Sequence, residues 1–136
     1  DSPLWLYRDG VLQRINEDHS MAPILANMVI AGEITAAQAT CDPKRSALRS
    51  AVMGKKLRLV DASVDPVYLQ QGDMILLATD GILTLSDEQI AKLIESNYAA
   101  PNEEIVDIIM HDVNDTHNFN QDNTTILIYS TDFELD

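Results

Sequence analysis

Apolar residues recur along this chain at two spacings, and the changes between them mark out strands and helices. Residues 3–8 and 11–15 alternate loosely around Asp9-Gly10, a dipeptide suited to the positive φ angles of a two-residue type I′ turn, so a hairpin is expected. Behind Ser20, read as a helix cap, Ile24, Leu25, Met28 and Val29 share one helical face, with Pro23 tolerated in the first turn and Gly32 ending the helix. Thr35-Ala36-Ala37-Gln38 and Ser86-Asp87-Glu88-Gln89 have the spacing of capping boxes, the second opening a helix that buries Ile90, Leu93 and Ile94. Asn102 is expected to cap a further helix, with Glu103 and Glu104 favourable to its dipole and Ile105, Ile109 and Val113 along one stripe. Residues 57–60, 67–70, 74–79 and 124–130 read as strands, with Gly72-Asp73 turning between the second and third. Residues 74–79 are apolar on both faces, which marks a central strand. Sheet flanked by amphipathic helices predicts a layered α+β sandwich.

Composition narrows the picture. The chain has 136 residues, 46% of them hydrophobic, enough for one core and no sign of a second domain. Its net charge of −13 argues against nucleic acid as a direct ligand, because phosphate backbones require clustered Lys and Arg. No apolar stretch is long enough to span a bilayer, so no membrane role is expected. The single cysteine, Cys41, has no partner within the chain and points to a reducing, cytoplasmic setting. It lies in a polar connection without a basic neighbour pattern and reads as an inert thiol. Lys44, Arg45 and Arg49 form a basic cluster around residues 43–53. Such a cluster is either a solvated helix face or a contact for a phosphorylated substrate.

Candidate chemistry lies at two strand ends. Asp80 follows Ile75-Leu76-Leu77-Ala78-Thr79, and Asp122 precedes Asn123-Thr124-Thr125-Ile126. In an antiparallel pair the last residue of one strand lies beside the first of its neighbour, so two carboxylates would meet at one sheet edge. Carboxylates that close repel unless a cation sits between them. With no Cys or His nearby, Mg²⁺ or Mn²⁺ suits the donors. Asp-Gly and Asp-Asn are also ordinary turn dipeptides, and spacing alone leaves both readings open. Two other patterns fail: Asp18-His19-Ser20 are adjacent and cannot reach one another as a triad, and Asp112-Val113-Asn114-Asp115-Thr116-His117 lacks the Gly and Glu of a calcium loop.

The wording around the two aspartates decides between metal and turn. Gln71-Gly72-Asp73-Met74-Ile75-Leu76-Leu77-Ala78-Thr79-Asp80-Gly81-Ile82, Leu85-Ser86-Asp87-Glu88-Gln89-Ile90 and Asp122-Asn123-Thr124-Thr125 resemble the C-terminal half of the metal-dependent serine/threonine protein phosphatases, type 2C. Asp1-Ser2, the segment Leu4-Trp5-Leu6-Tyr7-Arg8-Asp9-Gly10-Val11-Leu12 and Glu17-Asp18-His19-Ser20 resemble that family's Gly-Asp-Ser strand, hairpin and Asp-His segment. The resemblance implies a four-layer αββα sandwich of two antiparallel β-sheets, of which residues 1–136 would be the C-terminal portion of one domain. The N-terminal half, with the family's Asp-Gly-x-Gly-Gly motif and phosphate-binding arginine, would be absent from this chain. It implies two or three Mg²⁺ or Mn²⁺ ions, with Asp80 and Asp122 holding one and Asp1 with Asp80 another, looser one. Gly81 would let the chain turn away from the metal, and Asn123 would fix its loop through side-chain hydrogen bonds. The implied reaction is hydrolysis of phosphoserine and phosphothreonine in proteins by a metal-activated water, inactive or nearly so in this chain alone. The alternatives are a non-catalytic phosphatase-like binding or regulatory module, and a phosphatase dedicated to a partner-switching regulator. Without its missing half, the two-faced apolar sheet is expected to stay uncovered and to self-associate.

Overall fold

The structure, a computed structural model, describes residues 2–63, 65–118 and 121–131. Two compact units emerge among these, one built from residues 17–63 and the other from residues 2–16, 65–118 and 121–131.

The smaller unit holds helices α1 (Ala22–Ile30) and α2 (Ala36–Thr40). Ser20 does not cap α1 as expected: the cap position is Met21, which makes no side-chain cap bond. A cap at Ser20 would put Pro23 at the third helical position, where it has no N–H to donate. The Ser20 hydroxyl instead accepts from Ala22 N at 3.1 Å. At the other end Gly32, with φ of 74°, donates to Val29 O, and Glu33 N donates to Met28 O at 2.9 Å. These two bonds form a Schellman closure. The Thr35/Gln38 capping box is present in both directions. The strand expected over residues 57–60 does not form; Leu59 spends its N–H and C=O on the Ser50 hydroxyl instead. Nor does the basic cluster lie on a helix, since residues 43–46 are turns.

The larger unit carries strands β1 (Leu4–Arg8), β2 (Val11–Arg14), β3 (Met74–Ala78) and β4 (Ile126–Ser130) in one antiparallel sheet of order β2-β1-β3-β4. Asp9 and Gly10 take φ of 51° and 80°, the conformation a type I′ turn demands. Register places Trp5 beside Leu76, and Leu76 beside Ile128, so one face gathers Trp5, Tyr7, Leu12, Leu76 and Ala78 in the core. Helices α3 (Asp87–Ser96) and α4 (Asn102–Asp115) cover that face. Ile90, Ile94, Ile105 and Ile109 are fully buried there, each contributing on the order of 2 kcal/mol of apolar burial. The Ser86/Gln89 capping box opens α3. At α4 the cap is Pro101 rather than Asn102, because the Asn102 side-chain oxygen is taken by the Ser130 hydroxyl at 2.6 Å.

Residues 67–70 are not a strand either. Their polar backbone is held by side chains: Arg8 donates to Tyr68 O at 3.0 Å, and Gln70 N donates to Asp73 Oδ2 at 2.7 Å. Among the described residues the larger unit is thus a mixed α/β unit with a single sheet and two helices on one of its faces.

Candidate functional site

Because Ala78 pairs with Ile126, the chain leaving β3 and the chain arriving at β4 share one edge of the sheet. Thr79 fastens them. Its N–H donates to Thr125 O, its hydroxyl donates to Asn123 O, and the same hydroxyl accepts from Thr125 N, each at 3.0 Å. Asp80 then opens a 3-10 helix, Asp80–Thr84, where its negative charge complements the helix start. Buried Ile82 and Leu85 fix that helix to the core.

Gln121 closes the arrangement from the other side. Its Nε2 donates to Gly81 O at 2.8 Å, to Asp122 O at 2.9 Å and to the Thr124 hydroxyl at 3.0 Å, while its Oε1 accepts from the Thr84 hydroxyl. The contact is tight enough to exclude a methyl group at position 81. A Cβ there would fall 2.7 Å from Asp122 O and 2.8 Å from Asn123 O, and would also collide with the Thr124 hydroxyl. Gly81 therefore serves close approach of two backbones, inside the 3-10 helix that turns the chain after β3.

The role expected of the Asn123 side chain passes to the backbone. Asn123 N donates to Asp122 Oδ1 at 2.7 Å and its carbonyl accepts from Thr79. Thr79, Thr84 and Gln121, which do most of the fastening, were not singled out by sequence. Polar residues beside a motif are common, and only the β3–β4 register shows which ones face each other.

The chemistry of the donors fits a hard divalent ion. Both side chains offer carboxylate oxygens, Asp122 is exposed and Asp80 half-buried, and Asp122 commits one oxygen to its neighbour's N–H. Among the described residues no protein group bonds the Asp80 carboxylate, and no group of three or more His, Cys, Asp or Glu is assembled. Asp1 lies outside the described residues. Asp112 and Asp115 lie within α4, which rules out the calcium loop. Asp18 Oδ1 accepts from Ser20 N at 2.7 Å, a local turn rather than a triad.

The opposite end of the sheet is built differently. Arg8 clamps Asp73 with two bonds, Nε to Oδ1 at 2.8 Å and Nη2 to Oδ2 at 2.5 Å. The Arg8 guanidinium holds the Asp73 carboxyl below the usual range, helped by the Gln70 N–H and opposed by burial. Beside this pair a cleft of about 430 Å³ is lined by Gly72, Tyr98, Pro101, Asn102, Ser130 and Thr131, among others. It lies at the other end of β3 from Asp80 and includes neither Asp80 nor Asp122.

The family model of stage II sporulation protein E (SpoIIE) matches residues 50–132. The chain belongs to the SpoIIE family. The stretch matched includes both Asp80 and Asp122. Among solved structures, this SpoIIE-family chain is similar to the PPM Ser-Thr phosphatase MsPP from Mycobacterium smegmatis, crystallised with cacodylate, at 29% identity and a TM-score of 0.64 over 96% of this chain and 52% of that one. It is similar to the serine/threonine phosphatase PstP/Ppp of Mycobacterium tuberculosis at 25% identity, TM-score 0.58, covering 94% of this chain and 50% of that one. The fold of Stp1 from Staphylococcus aureus matches with a TM-score of 0.68 at 22% identity, over 98% of this chain and 49% of that one. The chain thus spans about half the length of the phosphatases it resembles, and it is similar to the PPM fold along nearly its whole length. No curated protein matches it. Among the described residues no helix is long and apolar enough to cross a membrane.

Proposed function

We propose that this chain supplies one side of the metal site of a protein phosphatase that hydrolyses phosphoserine and phosphothreonine in proteins. The observation that carries the reading is the fastening of Asp80-Gly81 against Asp122-Asn123 at one sheet edge, in a chain similar to Ser-Thr phosphatases. Asp80 and Asp122 would hold Mg²⁺ or Mn²⁺, and Asp1 with Asp80 a further, looser ion. The other ligands would come from the half of the domain that this chain does not contain. In that whole domain a second sheet would complete the four-layer αββα sandwich.

An ion held there by Asp80 and Asp122 would supply a lowered water pKa and neutralisation of charge on the phosphoryl oxygens. The chain's own contribution is placement. Thr79 and Gln121 hold the two loops in register, Gly81 lets them touch, and among the described residues no cation pairs with either carboxylate.

In the intact protein, Asp80→Asn and Asp122→Asn should each lower turnover of a phosphopeptide or p-nitrophenyl phosphate by about tenfold or more, since even residues behind metal ligands cost that much when removed. Folding should be unchanged, because neither side chain is in the core. The chain alone should turn over nothing and bind Mn²⁺ weakly by isothermal titration. Normal turnover by both variants across a Mn²⁺ titration would remove the metal assignment. An intact protein that binds Mn²⁺ yet hydrolyses no phosphoprotein would instead be a phosphatase-like binding module.

A further inference from the structure

Six of the nine Lys and Arg residues lie between Lys44 and Arg58, a stretch containing no Asp or Glu. It carries +6, while the rest of the chain carries −19. Lys55, Lys56 and Arg58 extend the cluster of Lys44, Arg45 and Arg49, and the structure separates their roles.

Arg49 is an anchor. Its Nε donates to Ser20 O at 2.7 Å and its Nη2 to Asp18 O at 3.1 Å. Just beyond it, the Ser50 hydroxyl donates to Leu59 O at 3.0 Å and accepts from Leu59 N at 3.2 Å. These bonds clip the neck of a loop whose ends are close, the geometry of compact surface loops that carry function. Between the clips Lys55, Lys56 and Arg58 stand in water. So do apolar side chains: Val52 is 90% exposed and Met53 71%. A shallow concavity of about 270 Å³ is lined by Arg49, Lys55, Lys56 and Arg58 with Met53 and Leu57.

Single exposed apolar residues are ordinary, but adjacent ones on a fastened loop ringed by cations form a surface suited to a complementary partner. We infer that the loop over residues 50–59 is a docking surface for an acidic peptide segment of a protein partner. The partner's carboxylates meet Lys55, Lys56 and Arg58, and its apolar side chains cover Val52 and Met53. An anionic membrane fits less well. The unit that carries the loop also holds Glu17, Asp18, Glu33, Asp42 and Asp61, which a charged plane would repel, whereas a peptide segment can touch the loop alone. The inference stands apart from the metal site: it concerns binding and needs no turnover.

Fluorescence polarisation of this chain with a labelled peptide alternating Glu and Leu tests it, against peptides in which Gln replaces Glu or Ser replaces Leu. The Glu-Leu peptide should bind more tightly than both controls, and weaken as salt rises. Lys55→Glu with Lys56→Glu and Arg58→Glu should abolish binding, with about a tenfold loss as the least acceptable effect. Val52→Ser with Met53→Ser should weaken the Glu-Leu peptide and leave the Glu-Ser peptide unchanged. All five side chains are exposed, so circular dichroism and melting should match the parent. Equal binding of all three peptides, or unaltered binding by the triple variant, overturns the inference. Binding only to phosphatidylcholine vesicles containing about one third phosphatidylserine overturns it in favour of a membrane surface.

Discussion

Gly81 shows how much a single missing methyl group can decide. A Gly to Ala change at a compatible backbone angle normally stabilises by about 0.4–1 kcal/mol through the unfolded state. Here the added carbon would press on two carbonyl oxygens, Asp122 O and Asn123 O, at 2.7 and 2.8 Å, and backbone cannot step aside as a flexible side chain can. Overpacking of this kind costs about 1–3 kcal/mol and wins. Gly81→Ala should therefore lower the melting temperature, and in the intact protein should weaken Mn²⁺ binding by separating the Asp80 and Asp122 loops. A melting curve and a metal titration that both match the parent would show that the contact is not needed. Sequence singles out Gly81 for a turn, because an Asp-Gly dipeptide announces turns and says nothing of what lies across the sheet.

Among the elements, β1 and the turn before β3 are latched by Arg8 and Asp73. The Asp73 side chain is 2% exposed and that of Arg8 31%, so Asp73 has little water to fall back on. Its carboxyl is held below the usual range in the folded protein, first by the Arg8 hydrogen bonds. A lowered folded value means that the latch is fully present above the unfolded carboxylate range and is lost as pH falls through the folded value; Arg8 stays charged throughout. Melting temperature should hold steady from neutrality to about pH 5 and decline below about pH 4. Asp73→Asn should cost about 2 kcal/mol at neutral pH, the low end for a pair whose arginine is partly solvated, and should flatten the acid limb. An acid limb unchanged in the variant would assign it to other carboxylates. Neither Arg8 nor Asp73 was marked by the sequence reading for this role, since the partners lie on elements far apart in the chain.

For the molecule as a whole, the face of the sheet away from α3 and α4 carries Leu77, Leu127 and Tyr129 at 44%, 57% and 56% exposure. Leu77 and Leu127 are register partners, which makes the apolar patch continuous across two strands. Exposed patches of this sort are rare on monomers, and the phosphatases that share the fold have about twice this length. Light scattering of the chain at micromolar concentration should give a mass above 15.1 kDa, and Leu77→Lys with Leu127→Glu should restore the monomer. A monomeric parent chain would mean that the face is satisfied as it stands. The sequence by itself determined what acts within a few residues: the Asp9-Gly10 hairpin, the Thr35 and Ser86 capping boxes, the Gly32 stop, and the stripe of Ile105, Ile109 and Val113. Each of these depends on spacing and on hydrogen bonds that close locally. Tertiary structure alone decided that two of the expected strands do not form. Residues 57–60 and 67–70 have strand-like composition but found side-chain partners for their backbone before any sheet edge. It also decided how the Asp80-Gly81 loop meets the Asp122-Asn123 loop, because register between β3 and β4 is set by which faces can be buried against the helices, a property of no single segment.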